Sequence, residues 1–418
     1  MAEWTPEHPH PSRQSLRGLD WFIFCLADIQ VGFGPFVAVY LTAEKWPQAD
    51  IGLVLSVGGL AALAGQIPGG ALVDAVYPVR LLAATAVAVI AASALALAAS
   101  PIFIIVLVAG ITHAIGSCVL GPSIAAISLG LVGYDAIGER LGRNASLASI
   151  GAGLAAVGMG ASGYLFSNRA VFFVTAALCV PTLIALTRIR PDEIDNLRAH
   201  GGKARPHPSD PGATFRDLFS NRMLVAFATC VVLFHLANAA MLPTLAGVLT
   251  MRSSQGASAL IGACLIVPQI LVAMFSPWVG RHAQSWGYRP LLLIGFAALP
   301  IRGVTFAFVS NPYTLVLVQA LDGVSAAVLG VMVPLVIAAA TRGTGHFNLA
   351  QGFVGSGIGI GASLSTTLAG YVSDHYGSMI TFFTLASIAV IGFVFVLMLM
   401  PGRSPPAILP GASPARSM

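Results

Sequence analysis

Charge is scarce in this chain, and its scarcity excludes most classes of soluble protein. Only 9% of the 418 residues are charged and 56% are hydrophobic, whereas a soluble domain carries about 25% charged residues. Such a composition must place much of its apolar surface against lipid. The net charge of +5 is therefore no indication of a nucleic-acid partner, because it reflects where the arginines lie relative to a membrane.

Signatures of catalysis and of metal binding are also missing. The five cysteines all lie in apolar runs without a Cys-x-x-Cys pair, so neither a disulfide framework nor a zinc knuckle is expected. No Gly-x-Ser-x-Gly elbow, P-loop or dinucleotide fingerprint occurs in a strand–turn–helix context. We therefore expect a protein that is not an enzyme and holds no cofactor.

What the sequence does contain is twelve long apolar runs. Each is about the 20 residues that a helix needs to cross the hydrocarbon of a bilayer, and none has the polar–apolar alternation of a barrel strand. The sequence thus predicts an all-α membrane protein. The runs cover 20–42, 51–73, 80–99, 103–131, 146–166, 169–188, 222–249, 257–279, 289–309, 313–340, 347–370 and 378–400.

One polar stretch, residues 188–222, separates six runs from six. It holds seven of the 21 basic residues, five acids and several prolines and glycines, a composition that does not fold alone. We interpret it as a solvated linker. The predicted segments are an N-terminal tail (1–19), an N-terminal six-helix bundle (20–188), the linker (189–221), a C-terminal six-helix bundle (222–400) and a C-terminal tail (401–418).

The distribution of Arg and Lys predicts the orientation. If the N-terminus is cytoplasmic, seventeen of the 21 basic residues fall in cytoplasmic segments, and only Lys45, Arg169 and Arg252 fall in outer loops. By the positive-inside rule, both termini and the linker are then cytoplasmic. We expect the protein in the cytoplasmic membrane (the inner or plasma membrane).

The two halves also repeat. Val119-Leu-Gly121 and Val328-Leu-Gly330 are 209 residues apart, and so are Arg80 and Arg289. A constant offset predicts two pseudo-symmetric six-helix bundles related by an axis along the membrane normal, which places a binding site at their interface near the midplane.

Twelve spans, a central polar loop and a repeat of six helices resemble the major facilitator superfamily of secondary transporters over essentially the whole chain. The family's signature between spans 2 and 3 reads Gly-x-x-x-Asp-basic-x-Gly-basic-basic. Gly70 and Asp74 match it, and Arg80 supplies one displaced base. The resemblance implies that this loop latches and releases the cytoplasmic side during transport.

The second half carries a copy of this loop. Gly280, Gly287 and Arg289 are retained, but Gln284 stands where the acid would be. The same gating role is implied for these residues. Turn chemistry combined with positive-inside charge is the alternative explanation for both loops.

Five ionisable side chains fall inside predicted spans, where an Asp or Arg at the centre costs at least about 2.5–3.5 kcal/mol. Four of them lie one each on spans 1, 4, 7 and 10, the spans that line the central cavity in the family that the chain resembles. We therefore predict a substrate- and proton-binding site. Its residues are Asp28, His113, His235, Asp322 and the span 9 residue Arg302, with their polar neighbours Gln30, Asn238 and Gln319.

Two of these residues are expected to pair. Arg302 lies nine residues before the turn near Asn311 and Asp322 eleven after it, so antiparallel helices place them at one level. Such a pair keeps Asp322 ionised and leaves Asp28 as the carboxylate that titrates. Snorkelling of Arg302 to the outer interface is the alternative, and each Asp or His could instead make a structural hydrogen bond.

These features indicate a monomeric secondary transporter that works by alternating access in a lipid bilayer. Proton-coupled efflux of an amphiphilic or drug-like small molecule is the leading hypothesis. A divalent metal-ion or metabolite carrier that uses Asp28, His113, His235 and Asp322 is one alternative. A membrane receptor or scaffold that transports nothing is another.

Overall fold

The computed structural model describes residues 11–31, 34–202, 216, 218–252 and 257–402, and within them it contains helices and no strand. The N-terminal half contains α1 (Arg13–Val31), α2 (Gly34–Ala43), α3 (Gln48–Ala75), α4 (Val79–Ala99), α5 (Phe103–Leu165) and α6 (Ala170–Thr187). The short helix α7 (Asn196–Ala199) follows. The C-terminal half contains α8 (Arg222–Asn238), α9 (Met241–Arg252), α10 (Ala257–Trp286), α11 (Tyr288–Phe308), α12 (Pro312–Ala340) and α13 (Phe347–Leu399).

These helices provide the twelve spans that the sequence predicts. Nine helical stretches of the described chain are long and apolar enough to cross a membrane. Two of them, α5 and α13, contain two spans each, because Gly133 (φ 71°) and Gly377 (φ 82°) interrupt the helical backbone. Helices α1 and α2 lie on either side of residues 32–33 and make up the first span. The all-α membrane architecture is thus confirmed.

The largest difference in helix boundaries is in span 5. Hydropathy predicts that it begins at residue 146, whereas α5 continues as a helix on both sides of Gly133. Polar residues lower the hydropathy at the start of span 5, but in the structure they are paired inside the protein. Arg140, which is 5% exposed, donates to Asp20 of α1 and to Asn144, each at 2.6 Å. A charge satisfied in this way does not end a helix, although it lowers the local hydropathy.

Two buried clusters form the core. One draws on residues between Leu19 and Ala199. The other draws on residues between Leu218 and Met400, together with four residues of α5 from Ala125 to Leu141. Each cluster therefore lies almost entirely on one side of the polar stretch. The exact segment boundaries given above stay predictions.

The first part of the polar stretch is folded, which corrects the interpretation of a wholly solvated linker. Ile194, Ala199 and His200 are buried. The His200 ring stacks on Tyr77 with centroids 4.2 Å apart, and its Nε2 lies 3.0 Å from the carbonyl oxygen of Val73. The polar composition predicted that the whole linker is solvated. Composition does not show that a few of its side chains pack under the N-terminal bundle. Residues 203–215 and 217 lie outside the described part of the chain.

The linker is also tied to the start of α1. The Glu193 carboxylate accepts hydrogen bonds from the backbone nitrogen and the hydroxyl of Ser12, both at 2.9 Å. Burial acts to raise the pKa of Glu193, but hydrogen bonds from Ser12 and Ser15 and the charge of Arg190 outweigh it, so the pKa lies below its ordinary value. A carboxylate thus holds the linker against the N-terminal half.

The two halves pack tightly at the end that carries the linker. A side chain at Gly70 of α3 would overlap the backbone of Asn348 in α13, and one at Gly280 of α10 would overlap the backbone of Gly138 in α5. The protein is therefore closed at the linker end.

Candidate functional site: the cavity between the two halves

A cavity of about 330 Å³ lies between the halves, above their closed end. It is lined by parts of six spans, and most of its lining is apolar. Its polar lining consists of amide side chains rather than charges. The residues that define it are Ile23, Gln66, Gly121, Asn144, Gly330 and Gln351. The sequence reasoning missed the three amides, although a single Gln or Asn within an apolar run is a signal that could have found them.

Two matching stripes of residues lead from this cavity away from the closed end. Gly121 of α5 and Gly330 of α12 both line the cavity and are 209 residues apart. Steps of four residues keep to one face of a helix. Two such steps back from each glycine, about 12 Å along the axis, lie His113 and Asp322. The sequence repeat thus places these two residues at equivalent positions on the stripes that continue the cavity lining.

Asp322 forms an ion pair with Arg302 of α11. The Arg302 side chain is 1% exposed and that of Asp322 is 25% exposed. Arg302 also donates to the amide oxygen of Asn238, and Gln319 Nε2 lies 3.4 Å from the Asp322 carboxylate. The structure therefore brings four of the predicted residues into one cluster in the C-terminal half. Snorkelling of Arg302 does not occur.

This cluster lies at a break in span 7. Helix α8 ends at Asn238 and α9 begins at Met241, and the guanidinium of Arg302 contacts the Met241 sulfur at 3.2 Å. The backbone nitrogen of Ala240, within the break, donates to the Ser365 hydroxyl of α13 at 3.0 Å. A broken helix at membrane depth occurs where it faces protein or a cavity, and transporters place their sites there. Sequence reasoning missed Met241 and Ser365, because neither residue type is unusual in an apolar run.

The two histidines have local hydrogen-bonding partners. Nδ1 of His235 lies 2.9 Å from the carbonyl oxygen of Val231, one turn earlier in α8. Nε2 of His113 lies 3.4 Å from the Ser117 hydroxyl. A functional role for either histidine stays a prediction.

The predicted residues of span 1 cannot be placed in this cluster. Asp28 and Gln30 belong to α1, but their side chains lie outside the described part of the structure. Among the side chains that are described, no three His, Cys, Asp or Glu residues come close enough to bind one metal ion. His113, His235 and Asp322 thus do not form a metal centre by themselves.

At the closed end, Asp74 joins the two halves. One of its carboxylate oxygens accepts from the backbone nitrogen and the amide of Asn348 at 3.2 and 2.7 Å, and the other accepts from the backbone nitrogen of Leu349 at 2.7 Å. Backbone N–H groups at a helix N-terminus have no partner within the helix, so Asp74 of α3 caps α13. The Asn348 amide also donates to the carbonyl of Ala199 at 3.1 Å, which connects the linker helix α7 to the same contact.

The equivalent loop in the second half uses an amide instead of a carboxylate. Gln284 donates to the backbone carbonyls of Tyr134 and Asp135 at the start of span 5. Gly287 (φ 81°) provides the turn into α11, and Arg289 is in the first turn of that helix. A gating role for these residues stays a prediction.

Arg80 has a different position from the one expected for a latch. It donates to the backbone carbonyl of Ile189, at the end of span 6. This contact lies within the N-terminal half and does not cross to the other half. The displaced base therefore fastens the linker to its own bundle.

Comparison with known proteins gives a consistent result. The family model of the Major Facilitator Superfamily matches residues 19–268 and 228–417. The chain is 38% identical over 392 residues to an uncharacterised MFS-type transporter of Mycobacterium tuberculosis (strain ATCC 25618 / H37Rv), covering 92% of this chain and 93% of the relative. It is also 26% identical over 139 residues, 32% of this chain and 33% of the relative, to the tetracycline resistance protein, class B, of Escherichia coli.

Solved structures share the fold. A point mutant of the nucleoside transporter NupG superposes with a TM-score of 0.63 at 18% identity, covering 93% of this chain and 99% of that one. The human organic anion transporter MFSD10 (TETRAN) superposes with a TM-score of 0.67 at 16% identity, covering 94% and 100%. At these identities the likeness concerns the fold alone.

Proposed function

The chain belongs to the major facilitator superfamily, and from that premise we propose that it exports an amphiphilic, drug-like small molecule in exchange for protons. As a member it is a multi-pass integral membrane transporter and not an enzyme. The observation that carries the proposal is the ion pair of Arg302 and Asp322, which lies at the break in span 7, with Asp322 about two helical turns from the cavity-lining residue Gly330.

The cavity suits a mostly apolar substrate with a few hydrogen-bonding groups. Apolar side chains, glycines and prolines form most of its lining. The amide nitrogen of Gln351 is buried and has no hydrogen-bonding partner among the described atoms. An unmet donor of this kind costs about 1–3 kcal/mol, so a substrate that supplies an acceptor there is favoured. The partial similarity to a tetracycline resistance protein supports a drug-type substrate.

The closed linker end supports alternating access. In this family the two halves rock about a central site. Opening the linker end would require the three hydrogen bonds between Asp74 and the start of α13 to break. We propose that this end is cytoplasmic, together with both termini.

The ion pair also assigns different roles to the two carboxylates. Asp322 has a permanent positive partner in Arg302, so its charge is balanced and it is suited to orient a polar group of the substrate. We assign the coupling proton to Asp28, as the sequence predicts. The two groups then act on different spans of opposite halves.

Reconstituted protein tests the proton assignment. Purified transporter in liposomes is given an inward proton gradient, and transport of tetracycline is followed by its fluorescence. We expect Asp28→Asn to abolish gradient-driven transport while exchange of tetracycline without a gradient continues. Asp192→Asn, which removes an exposed carboxylate from the linker, is the matched control and should behave as wild type. Gradient-driven transport that survives Asp28→Asn would disprove the assignment.

A further inference from the structure

A second groove lies outside the central cavity, between α1 and α6 at the linker end. It has a volume of about 650 Å³. Neither the transport site nor the closing contacts use it. Three arginines and three apolar residues form most of its lining: Arg13, Arg17 and Trp21 of α1, Pro181 and Ile184 of α6, and Arg188, which directly follows α6.

Charge and apolar surface are arranged in order along both walls of this groove. Arg13, Arg17 and Trp21 follow each other at intervals of four residues, so they lie on one face of α1. On the other wall, Arg188 directly follows the linker end of α6, and Ile184 of α6 lies one turn deeper. The groove is thus positive at the linker end and apolar about 12 Å further along the helix axis.

The groove is wide because the helices touch beneath it. A Cβ at Gly18 would lie 3.0 Å from the Cβ of Arg188, so the two backbones approach closely there and their larger side chains diverge above this contact. Trp21 is 61% and Ile184 is 54% exposed. These apolar side chains face outward at a depth where the neighbouring medium is lipid.

Among the described residues, carboxylates do not neutralise the positive charge of the groove. Asp20, the acid closest in sequence, already pairs with Arg140 and Arg143, each at 2.6 Å. Among the described residues, no ion pair involves Arg17 or Arg188, and a ligand of opposite charge would complete the site. Aromatic residues such as Trp21 are typical of the level where headgroups meet hydrocarbon.

We propose that this groove binds an anionic phospholipid. Its phosphate lies between Arg17 and Arg188, and one acyl chain follows Trp21 and Ile184 into the membrane. Basic pockets between membrane helices on the cytoplasmic side are a known way to hold anionic headgroups. The apolar half of the groove explains why a lipid fits better than a soluble anion. The site is independent of which molecule is transported.

The test uses the full-length protein in neutral detergent. Binding of dioleoyl phosphatidylglycerol is measured by native mass spectrometry, with dioleoyl phosphatidylcholine and inorganic phosphate in parallel. Each basic residue near an anionic headgroup contributes roughly a fivefold factor in affinity. We therefore expect the Arg17→Gln/Arg188→Gln double variant to bind phosphatidylglycerol roughly 25-fold more weakly than wild type, and wild type to prefer it over phosphatidylcholine.

Matched variants separate this site from a general effect of charge. Arg216→Gln/Arg281→Gln removes two exposed arginines elsewhere on the described chain and should keep wild-type affinity. Arg17→Lys/Arg188→Lys should keep most of it, which also shows that the substituted surface still folds. Unchanged affinity in the Gln double variant, an equal loss in the control pair or in the Lys pair, or displacement of the lipid by inorganic phosphate would each overturn the proposal.

Discussion

The two halves share a backbone plan but place their described charges at different depths. The C-terminal half buries an ion pair, Arg302 and Asp322, beside a broken helix inside the membrane. The equivalent position in the N-terminal half holds His113, which has a hydroxyl for a neighbour. At the closed end the relation is reversed, because the N-terminal half provides the carboxylate of Asp74, whereas the C-terminal half provides the amide of Gln284.

This difference indicates a division of labour between the halves. A buried ion pair is costly unless both charges remain satisfied, so the pair beside the break in span 7 suits a fixed binding wall. A carboxylate that caps a helix across the interface is a contact that forms and breaks as the halves move. We infer that the C-terminal half holds the substrate and the N-terminal half holds the latch.

Removing Asp322 should have the largest effect. Asp322→Ala leaves Arg302 buried without its counter-charge, which costs about 3 kcal/mol or more, and it should abolish substrate transport. His113→Ala at the equivalent position should cost about 1 kcal/mol or less, because its hydrogen bond is long. Thermal unfolding in detergent and transport in liposomes measure the two effects.

A double variant separates stability from function at this site. Arg302→Leu/Asp322→Leu removes both charges together and should recover most of the lost stability, but it should remain inactive. Equal loss of stability in Asp322→Ala and His113→Ala would contradict the contrast between the halves.

Weakening the latch, which is the contact of Asp74 with the start of α13, should have the next largest effect. Asp74→Asn keeps the shape of the side chain but removes the charge that caps α13, which is worth about 1 kcal/mol and up to about 2. We expect roughly a fivefold or larger shift away from the state closed at the linker end. Double electron–electron resonance between spin labels at Glu139→Cys and Ser285→Cys measures the population of this closed state.

Gln284→Ala is the matched variant for the latch. It removes two hydrogen bonds to backbone carbonyls without changing a charge, so it should shift the same population less than Asp74→Asn does. A larger shift from Gln284→Ala would place the latch in the C-terminal half instead.

Substitutions at the two ends of the linker should have the smallest effect on stability. Only the effect at the first end, where Glu193 lies, should depend on pH. Because the pKa of Glu193 is lowered in the folded protein from 4.5, its contribution to stability is complete above that value and is lost as the pH falls below it. Glu193→Gln should therefore lower the melting temperature slightly at pH 7, and this difference should be smaller at pH 3.

Asn221 provides the comparison at the other end of the linker. It caps α8 by accepting from the backbone nitrogen of Leu224 at 3.1 Å, and its amide donates to the carbonyl of Ala340 at 2.8 Å. Asn221→Ala should cost about 1 kcal/mol with the same value at pH 7 and pH 3. A pH-dependent effect of Asn221→Ala, or a pH-independent effect of Glu193→Gln, would contradict this difference.

Much of the fold could be predicted because membrane helices follow from composition. A run of about 20 apolar residues has few stable alternatives in lipid, so the spans followed from hydropathy. The start of span 5 did not follow, because Arg140 and Asn144 resemble loop residues until Arg140 is seen to donate to both Asp20 and Asn144. The folded part of the linker was missed for a similar reason, since the burial of His200 depends on the carbonyl of Val73, which is distant in sequence.

The sequence by itself determined the twelve spans, the family and the level at which Arg302 and Asp322 face each other, since length, hydropathy and helical rise are local properties. Only the tertiary structure decided that Asp74 caps α13, that Arg302 contacts a break in span 7 and that Gln66, Asn144 and Gln351 line the cavity. These contacts join residues from opposite halves or from spans distant in sequence. The packing of the helices determines which residues make these contacts, and no local sequence pattern predicts that packing.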